Sequence, residues 1–177
     1  MRIGVLASGG GTNLEAILRA GLPVVAVVVD RPCRATEVAE AVGVPARVVP
    51  RRPDRVAFTH EVVDVLAEHG VDVVVMAGFM TILDKPIFDA YDGRVLNTHP
   101  SLLPAFRGAH AVQEALAAGV KVTGCTVHVA TLEVDSGPIL AQEAVPVLDG
   151  DTPESLHERI KEVEHRLYPE TIRRFIA

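Results

Sequence analysis

The segment Asn97-Thr98-His99-Pro100 places an amide and an imidazole two positions apart in the 177-residue chain. Side chains two positions apart on an extended chain point to the same side, so Asn97 and His99 are expected to face one pocket. An amide donor beside an imidazole can polarise a carbonyl group and carry its proton. The alternative is a histidine held by backbone groups in a proline-rich connector, and the segment alone favours neither.

A carboxylate that could complete this pair is Asp135, which precedes Ser136-Gly137 in a polar segment. A lone aspartate in such a segment is more often a turn former than a catalyst. If it meets His99, it would orient the imidazole ring and favour its protonated form. The sequence alone does not show whether the two side chains meet.

A glycine-rich segment, Ser8-Gly9-Gly10-Gly11-Thr12-Asn13, separates the first predicted strand from the first predicted helix. Glycines let the backbone approach an anion closely, and a helix start offers free N–H groups at the positive end of the helix dipole. Leu14 occupies the third glycine position of the dinucleotide fingerprint, and the Gly-Lys-Ser/Thr of a P-loop is missing. We therefore predict a monophosphate site, with a flexible strand–helix turn as the alternative.

Several other classes of function are disfavoured by the sequence. The side chains that could ligate a metal ion in the second half are His99, His110, His128, Asp135 and His165. No pair of them has the short spacing of a metal motif, so no metal site is predicted. No Gly-x-Ser-x-Gly motif of a serine hydrolase is present.

Composition and charge indicate which binding partners and which compartment are disfavoured. Lys plus Arg number 17 and Asp plus Glu 23, and the resulting net charge of −6 disfavours general binding to nucleic acid or a membrane surface. Two cysteines are too few for a disulfide framework and suit a reducing compartment. No apolar run is long enough to span a membrane, and we expect a cytoplasmic protein.

The elements that must position these residues follow from hydrophobic patterning. Before Pro100, strands are predicted at Ile3–Ala7, Val24–Val29, Ala46–Val49, Val71–Ala77 and Arg94–Leu96. Helices are predicted between them at Asn13–Ala20, Thr36–Val42, Asp54–His69 and Lys85–Tyr91. Continuously apolar strands are typical of a parallel sheet covered on both faces. The alternation predicts an α/β fold with an open, doubly wound, mostly parallel sheet.

After Pro100 the pattern changes. A helix at Ala111–Ala118 is followed by two predicted strands, Thr123–Ala130 and Ile139–Val147, which we expect to extend the sheet in partly antiparallel fashion. A last helix is predicted to begin at Asp151-Thr152-Pro153-Glu154, with Glu154 three positions after a capping Asp151, and Pro169 could kink it.

Ligands of open parallel sheets bind beyond the carboxyl ends of the strands. Three segments lie at or near such ends: Ser8–Asn13, Gly78–Leu83 and Asn97–Pro104. We expect them to converge on one edge of the sheet.

Two motifs together resemble the folate-dependent formyltransferases. They are Asn97-x-His99-Pro100-Ser101-Leu102-Leu103-Pro104 and Asp135-x-Gly137-Pro138-Ile139, and Gly78-Phe79-Met80-x-Ile82-Leu83 is also similar to that family. The glycine segment points to the branch that acts on a ribonucleotide phosphate. The resemblance implies one domain over residues 1–177 with a Rossmann-like formyltransferase fold, an antiparallel extension and a C-terminal helix. It also implies a nucleotide-phosphate half, 1–96, and a catalytic and folate-binding half, 97–177.

The activity implied by the resemblance is transfer of a formyl group from 10-formyltetrahydrofolate to the amine of glycinamide ribonucleotide, without a metal. The implied catalytic residues are Asn97, His99 and Asp135, and the implied phosphate-binding residues are Gly11, Thr12 and Asn13. Other implied substrate-binding residues are Ser101, Pro104, Gly108 and Glu164. The implied folate-binding residues are Arg55, Met80, Thr81, Ile82, Leu83, Asn97, Thr131, Leu132, Glu133 and Val134. A monomer or a homodimer is expected, with no nucleic acid or membrane partner.

Two positions depart from the family pattern. Leu132 stands where an acidic residue is frequent, and Thr81 stands where an arginine is common, so contacts to the folate tail stay open. The alternatives are a formyltetrahydrofolate deformylase-like hydrolase, formyl transfer to another amine, or a non-catalytic nucleotide-binding module. The length of the chain and its glycine segment argue against the larger methionyl-tRNA and sugar-nucleotide formyltransferases.

Overall fold

The computed structural model describes all residues, 1–177. The helices are α1 (Thr12–Arg19), α2 (Arg34–Glu40), α3 (Arg55–Glu68), α4 (Lys85–Ala90), α5 (Ala111–Ala118) and α6 (Pro153–Ile176). The strands are β1 (Ile3–Ala7), β2 (Val24–Val29), β3 (Ala46–Val48), β4 (Val73–Met76), β5 (Val95–His99), β6 (Val122–Val129) and β7 (Ile139–Pro146).

The strand order in the sheet is β3-β2-β1-β4-β5-β6-β7. Strand β1 pairs in parallel with β2 and β4, β2 pairs in parallel with β3, and β6 and β7 are antiparallel. The predicted α/β class, a mostly parallel open sheet with an antiparallel extension and a C-terminal helix, is confirmed. The chain divides into two compact units, Met1–Leu96 and Asn97–Ala177.

In the first unit, burial explains the continuously apolar strands. All five residues of β1 are buried, as are the last four of β2. Helix α3 buries Phe58, Val62 and Leu66, which follow one another at helical spacing. Full burial of one such side chain contributes about 1.5–3 kcal/mol, so these residues together stabilise the packing of α3.

In the second unit, β6 is buried at seven of its eight positions, whereas β7 is largely exposed and lies at the edge of the sheet. Helix α6 packs on both strands and continues through Pro169. Its cap differs from the prediction. Thr152, not Asp151, is the N-cap, and Ser155, not Glu154, completes the capping box. The Asp151 carboxylate instead accepts hydrogen bonds from Leu148 N and Arg159.

Two boundaries bear on the functional residues. Strand β5 extends three residues past the predicted Arg94–Leu96, so Asn97 and His99 lie on the strand itself. The strand continues because the polar tips of these residues find partners beside the sheet, which hydrophobic patterning does not reveal. Helix α2 begins at Arg34 rather than Thr36.

Candidate active site

His99 lies at the end of β5 with 5% of its surface exposed. Its Nδ1 is 3.4 Å from Asp135 Oδ2, and its Nε2 donates to the carbonyl oxygen of Phe106 over 2.8 Å. Both ring nitrogens therefore face acceptors, which fixes the plane of the ring. The structure thus brings together His99 and Asp135, whose contact the sequence could not show.

Asp135 reaches His99 from the loop between β6 and β7. Its side chain is 7% exposed, and Oδ2 also accepts the backbone N–H of Gly108 at 2.9 Å. Its φ is 55°, a left-handed conformation that aspartate tolerates better than most residues. The nearby Gly137 is required by space, because a Cβ there would lie 1.8 Å from the carbonyl oxygen of Val129. Close backbone contact at Gly137 therefore positions the carboxylate.

A second histidine, His128 on β6, lies between Asn97 and Asp135. Its Nε2 is 3.4 Å from Asn97 Nδ2 and 3.7 Å from Asp135 Oδ1, and its Nδ1 is 3.2 Å from the carbonyl oxygen of Val129. The residue is 1% exposed, and this burial lowers the pKa of its imidazole. With Nδ1–H donating to Val129, Nε2 is an acceptor that orients the Asn97 amide. Sequence analysis considered His128 only as a metal ligand; its one signal is a histidine in an otherwise buried strand.

The loop after His99 is fixed by the strands beside it. Thr126 Oγ1 donates to the carbonyl oxygen of Ser101 and accepts from Leu103 N, while Gln142 Nε2 donates to the carbonyl oxygen of Leu103. Ser101 is fully buried, and its hydroxyl donates to the carbonyl oxygen of Ala105. Among the predicted substrate residues, Ser101 therefore holds the loop, whereas Pro104 is exposed and Gly108 is half-buried.

Glu164 on α6 is 5% exposed and accepts a hydrogen bond from Thr98 Oγ1 at 3.4 Å. The same hydroxyl lies 3.3 Å from Cys125 Sγ. Burial, followed by the negative charge of Glu164, raises the pKa of Cys125 to about 12. This thiol is therefore not a nucleophile. Glu164 is a buried carboxylate that contacts Thr98, the residue between Asn97 and His99.

The glycine segment of the first unit leads into the start of α1. Gly11 is the N-cap of α1 with φ 73°, and no side chain caps the helix. The first N–H groups of a helix are not bonded within the helix, and the helix dipole is positive there, so the start of α1 favours an anion. A Cβ at Gly11 would lie 3.0 Å from the Cα of Ala35, which excludes larger residues. The predicted phosphate residues thus form the uncapped start of a helix.

Arg34 of α2 holds this segment in place. Its Nη1 donates to the carbonyl oxygen of Gly10 at 2.6 Å, and its Nη2 pairs with Glu15 of α1. The backbone N–H of Ala35 donates to the carbonyl oxygen of Gly9. Sequence analysis missed Arg34, although an arginine at a helix start is electrostatically unfavourable and signals an outside partner.

The segment Gly78–Leu83, which contains the predicted folate residues Met80–Leu83, meets the glycine segment. Ser8 N donates to the carbonyl oxygen of Gly78 at 3.1 Å, and Met80 N donates to Ser8 Oγ at 2.8 Å. Arg55 pairs with Asp84, which follows Leu83, over 3.3 Å. Two of the three segments expected at one sheet edge are therefore in direct contact.

Exposed apolar side chains flank the polar groups in both units. Met80 and Ile82 are 63% and 51% exposed, and Leu132 and Val134, just before Asp135, are 55% and 49% exposed. Thr131 Oγ1 donates to the carbonyl oxygen of Glu133, which shapes this short turn. Large exposed apolar side chains beside placed polar groups are typical of sites for flat, largely apolar ligands.

No cluster of three or more His, Cys, Asp or Glu side chains could hold a metal ion. No helix has both the length and the apolar character needed to cross a membrane.

Comparison with known proteins gives consistent matches. The family model described as formyl transferase matches residues 1–172. The phosphoribosylglycinamide formyltransferase of Mycobacterium tuberculosis is 52% identical over 173 residues, covering 94% of this chain and 80% of the relative. The crystal structure of glycinamide ribonucleotide transformylase 1 from Symbiobacterium toebii superposes with a TM-score of 0.96 at 50% identity, covering 99% of this chain and 87% of that one. The phosphoribosylglycinamide formyltransferase structure from Bacillus halodurans also gives 0.96, at 40% identity, covering 100% and 96%.

Proposed function

This chain belongs to the formyl transferase family, and we propose that it transfers the formyl group of 10-formyltetrahydrofolate to the amine of glycinamide ribonucleotide. The products are formylglycinamide ribonucleotide and tetrahydrofolate, and the reaction is a step of purine synthesis. The observation that carries the proposal is the His99–Asp135 contact beside Asn97, which supplies both a carbonyl-polarising donor and a proton carrier. Relatives that carry this activity in their names support the choice of substrate.

In the reaction, a bond forms between the substrate amine and the formyl carbon, and the bond from that carbon to the folate nitrogen breaks. The folate supplies a formyl group that is already activated, so no metal is required. The proton lost by the amine must reach the departing nitrogen. Negative charge develops on the formyl oxygen, and a correctly placed donor to that oxygen is worth on the order of 10²–10³ in rate.

Asn97 and His99 are the donors that we assign to the formyl oxygen. His128 orients the Asn97 amide, and Asp135 orients the His99 ring. A ring with a hydrogen on each nitrogen donates both to Asp135 and to the carbonyl of Phe106, so that His99 is ready to donate when a stronger acceptor replaces that carbonyl. Through its contact with His99, Asp135 then provides a route for the proton that moves from the amine to the folate nitrogen.

The nucleotide phosphate is assigned to the N–H groups of Gly11, Thr12 and Asn13, where the helix dipole favours an anion. The remaining substrate contacts are assigned to Pro104, Gly108 and Glu164, with Ser101 fixing their loop. The folate is assigned to Arg55, the segment Met80–Leu83, Asn97 and the segment Thr131–Val134, whose exposed apolar groups suit a flat ring. We further propose one formyltransferase domain over residues 1–177, acting in the cytoplasm as a monomer or homodimer without a metal or nucleic-acid partner.

A spectroscopic assay tests this function. The purified protein is mixed with glycinamide ribonucleotide and a 10-formyl folate, and loss of the formyl folate is followed with and without the nucleotide. We expect loss only when both are present. Loss without nucleotide would identify a deformylase-like hydrolase, and no loss in either mixture would exclude this nucleotide as the acceptor.

A further inference from the structure

A buried carboxylate outside the catalytic group lies at the carboxyl end of β2. The Asp30 side chain has no exposed surface, and three donors satisfy it. Thr81 Oγ1 donates over 2.5 Å, and Arg31 donates from Nε and Nη2 over 3.0 Å each. Burial alone would raise the pKa of Asp30, but the hydrogen bonds from Arg31, Thr81 and Ser8 hold it below the usual value. The lowered pKa favours the ionised form of this buried carboxylate.

Asp30 and Ser8 hold adjacent residues of one loop. Thr81 donates its hydroxyl to Asp30, while the preceding Met80 donates its backbone N–H to Ser8 Oγ at 2.8 Å. Ser8 also contributes to the lowered pKa of the Asp30 carboxyl. Ser8 is also the first residue of the glycine segment, so one small network joins the end of β1, the end of β2 and the loop after β4.

This network bears on ligand binding because the two exposed apolar side chains of the loop, Met80 and Ile82, lie on either side of Thr81 in the sequence. We propose that Asp30 is a positioning residue, which through Thr81, and alongside the bond from Met80 to Ser8, holds the Met80–Leu83 segment in the conformation that receives the folate. The inference rests on the proposed function, since it takes that segment to be a folate contact. The Thr81 hydroxyl is directed at the buried Asp30 carboxylate, so position 81 holds the loop and presents no cation to the ligand.

The energetic scale follows from the type of bond. A hydrogen bond to a charged group is among the stronger ones in proteins, and its loss at a ligand-binding loop is expected to change affinity by about tenfold. The loss should appear in the KM for the formyl folate, because the network holds Met80 and Thr81 and reaches the glycine segment only at Ser8.

Thr81→Val and Thr81→Ser form a matched pair for the test. Valine keeps the shape of threonine and removes the hydroxyl, whereas serine keeps the hydroxyl. Thr123→Val is the control, because the buried Thr123 hydroxyl has no hydrogen-bond partner. We expect Thr81→Val to raise the KM for the formyl folate about tenfold, with the KM for the nucleotide and kcat changed by less than about twofold. Thr123→Val should match the wild type, and Thr81→Ser should raise the KM for the formyl folate by less than Thr81→Val does.

Hydrogen–deuterium exchange on the ligand-free protein provides a second readout that does not need activity. Thr81→Val and Asp30→Asn are expected to speed amide exchange in residues 78–83 about tenfold, and Thr81→Ser is expected to speed it by less than Thr81→Val does. Unchanged exchange in both variants, or equal rises in the two KM values, would overturn the positioning role. If the wild type transfers no formyl group, the proposed function fails instead, and exchange alone decides whether Asp30 holds the loop.

Discussion

At the scale of single residues, the chemistry rests on His99, whose two nitrogens contact Asp135 and the carbonyl of Phe106. Replacement by alanine removes the donor to the formyl oxygen and the proton route together. We predict that His99→Ala lowers kcat on the order of 10²–10³, the usual cost of one such donor. Steady-state kinetics, with thermal unfolding to show that the fold is intact, measures the effect. A variant with near-normal kcat would remove His99 from the catalytic assignment.

The same scale shows what the sequence can reveal about a site. Asn97 and His99 were identifiable because their spacing of two matches the alternation of a strand, and β5 does extend over both. Asp135 could be named only with the help of the family motif, since its contact with His99 spans 36 positions, from 99 to 135. His128 and Asp30 act through tertiary neighbours, and no local pattern distinguishes them from ordinary buried polar residues.

At the scale of elements, α2 supports the glycine segment through Arg34. The bond from Arg34 to Gly10 and the pair with Glu15 hold the segment against α1. We predict that Arg34→Ala raises the KM for the nucleotide about three- to tenfold, by loosening the amides that bind its phosphate, with little change in kcat. Arg47→Ala is the matched control, because Arg47 forms an exposed pair with Glu68. Equal KM values for Arg34→Ala and the control would place the phosphate elsewhere.

The loop between β6 and β7 gives a second prediction at this scale. A Cβ at Gly137 would lie 1.8 Å from the carbonyl oxygen of Val129, so the loop must move to accept it. We predict that Gly137→Ala lowers the free energy of unfolding by about 1–3 kcal/mol and also lowers kcat, because Asp135 is displaced. Urea unfolding measures the first effect and steady-state kinetics the second. Gly9→Ala, where a Cβ has open space, should leave stability unchanged, and a stable, active Gly137→Ala would contradict the role of the loop.

Element boundaries could be predicted where the hydrophobic pattern is strong. They could not be predicted where contacts with distant residues determine where an element begins or ends. Strands β1 and β2 and helix α5 have the predicted bounds, because their apolar residues are buried by the sheet. The start of α6 was placed correctly, but the cap is Thr152 because Asp151 is occupied by Arg159 and Leu148. Proline and capping residues predict that a helix begins. Which of several polar residues caps it depends on the tertiary contacts of each one.

At the scale of the whole molecule, the buried His128 and the half-buried His157 make stability depend on pH. Burial lowers the pKa of His128 and of His157 from the ordinary value of 6.5. The unfolded chain then binds protons below about pH 6.5 that the folded protein does not bind, so acid favours unfolding. We predict that the free energy of unfolding falls as the pH is lowered from 7.5 to about 5.

Urea unfolding across this range checks the prediction, with His128→Asn and His157→Asn as variants that should each flatten the profile. A second decline is expected at more acidic pH. Hydrogen bonds hold the pKa values of Asp30 and Asp151 below 3.8, so the stability that they contribute above that value is lost as they are protonated. A profile that is flat or rises from pH 7.5 to 5 would contradict the neutral, buried state of His128.

The molecule as a whole is anionic, with a net charge of −6, and both proposed ligands are anionic too. Long-range attraction therefore cannot bring them to the site, and local donors at the helix start must do so. The need for local donors was predictable from composition and the glycine segment, whereas the acceptor amine could be predicted only from the family resemblance. The acceptor is the central claim, and it is open to a direct measurement.

The measurement is transfer of a labelled formyl carbon. The protein is incubated with glycinamide ribonucleotide and 10-formyltetrahydrofolate carrying ¹³C in the formyl group, and the label is located by NMR and mass spectrometry. We predict that the ¹³C signal moves to an amide of the nucleotide and that the nucleotide gains one formyl group, in wild type and far more slowly in His99→Ala. Label found as free formate, or still on the folate, would contradict formyl transfer to this acceptor.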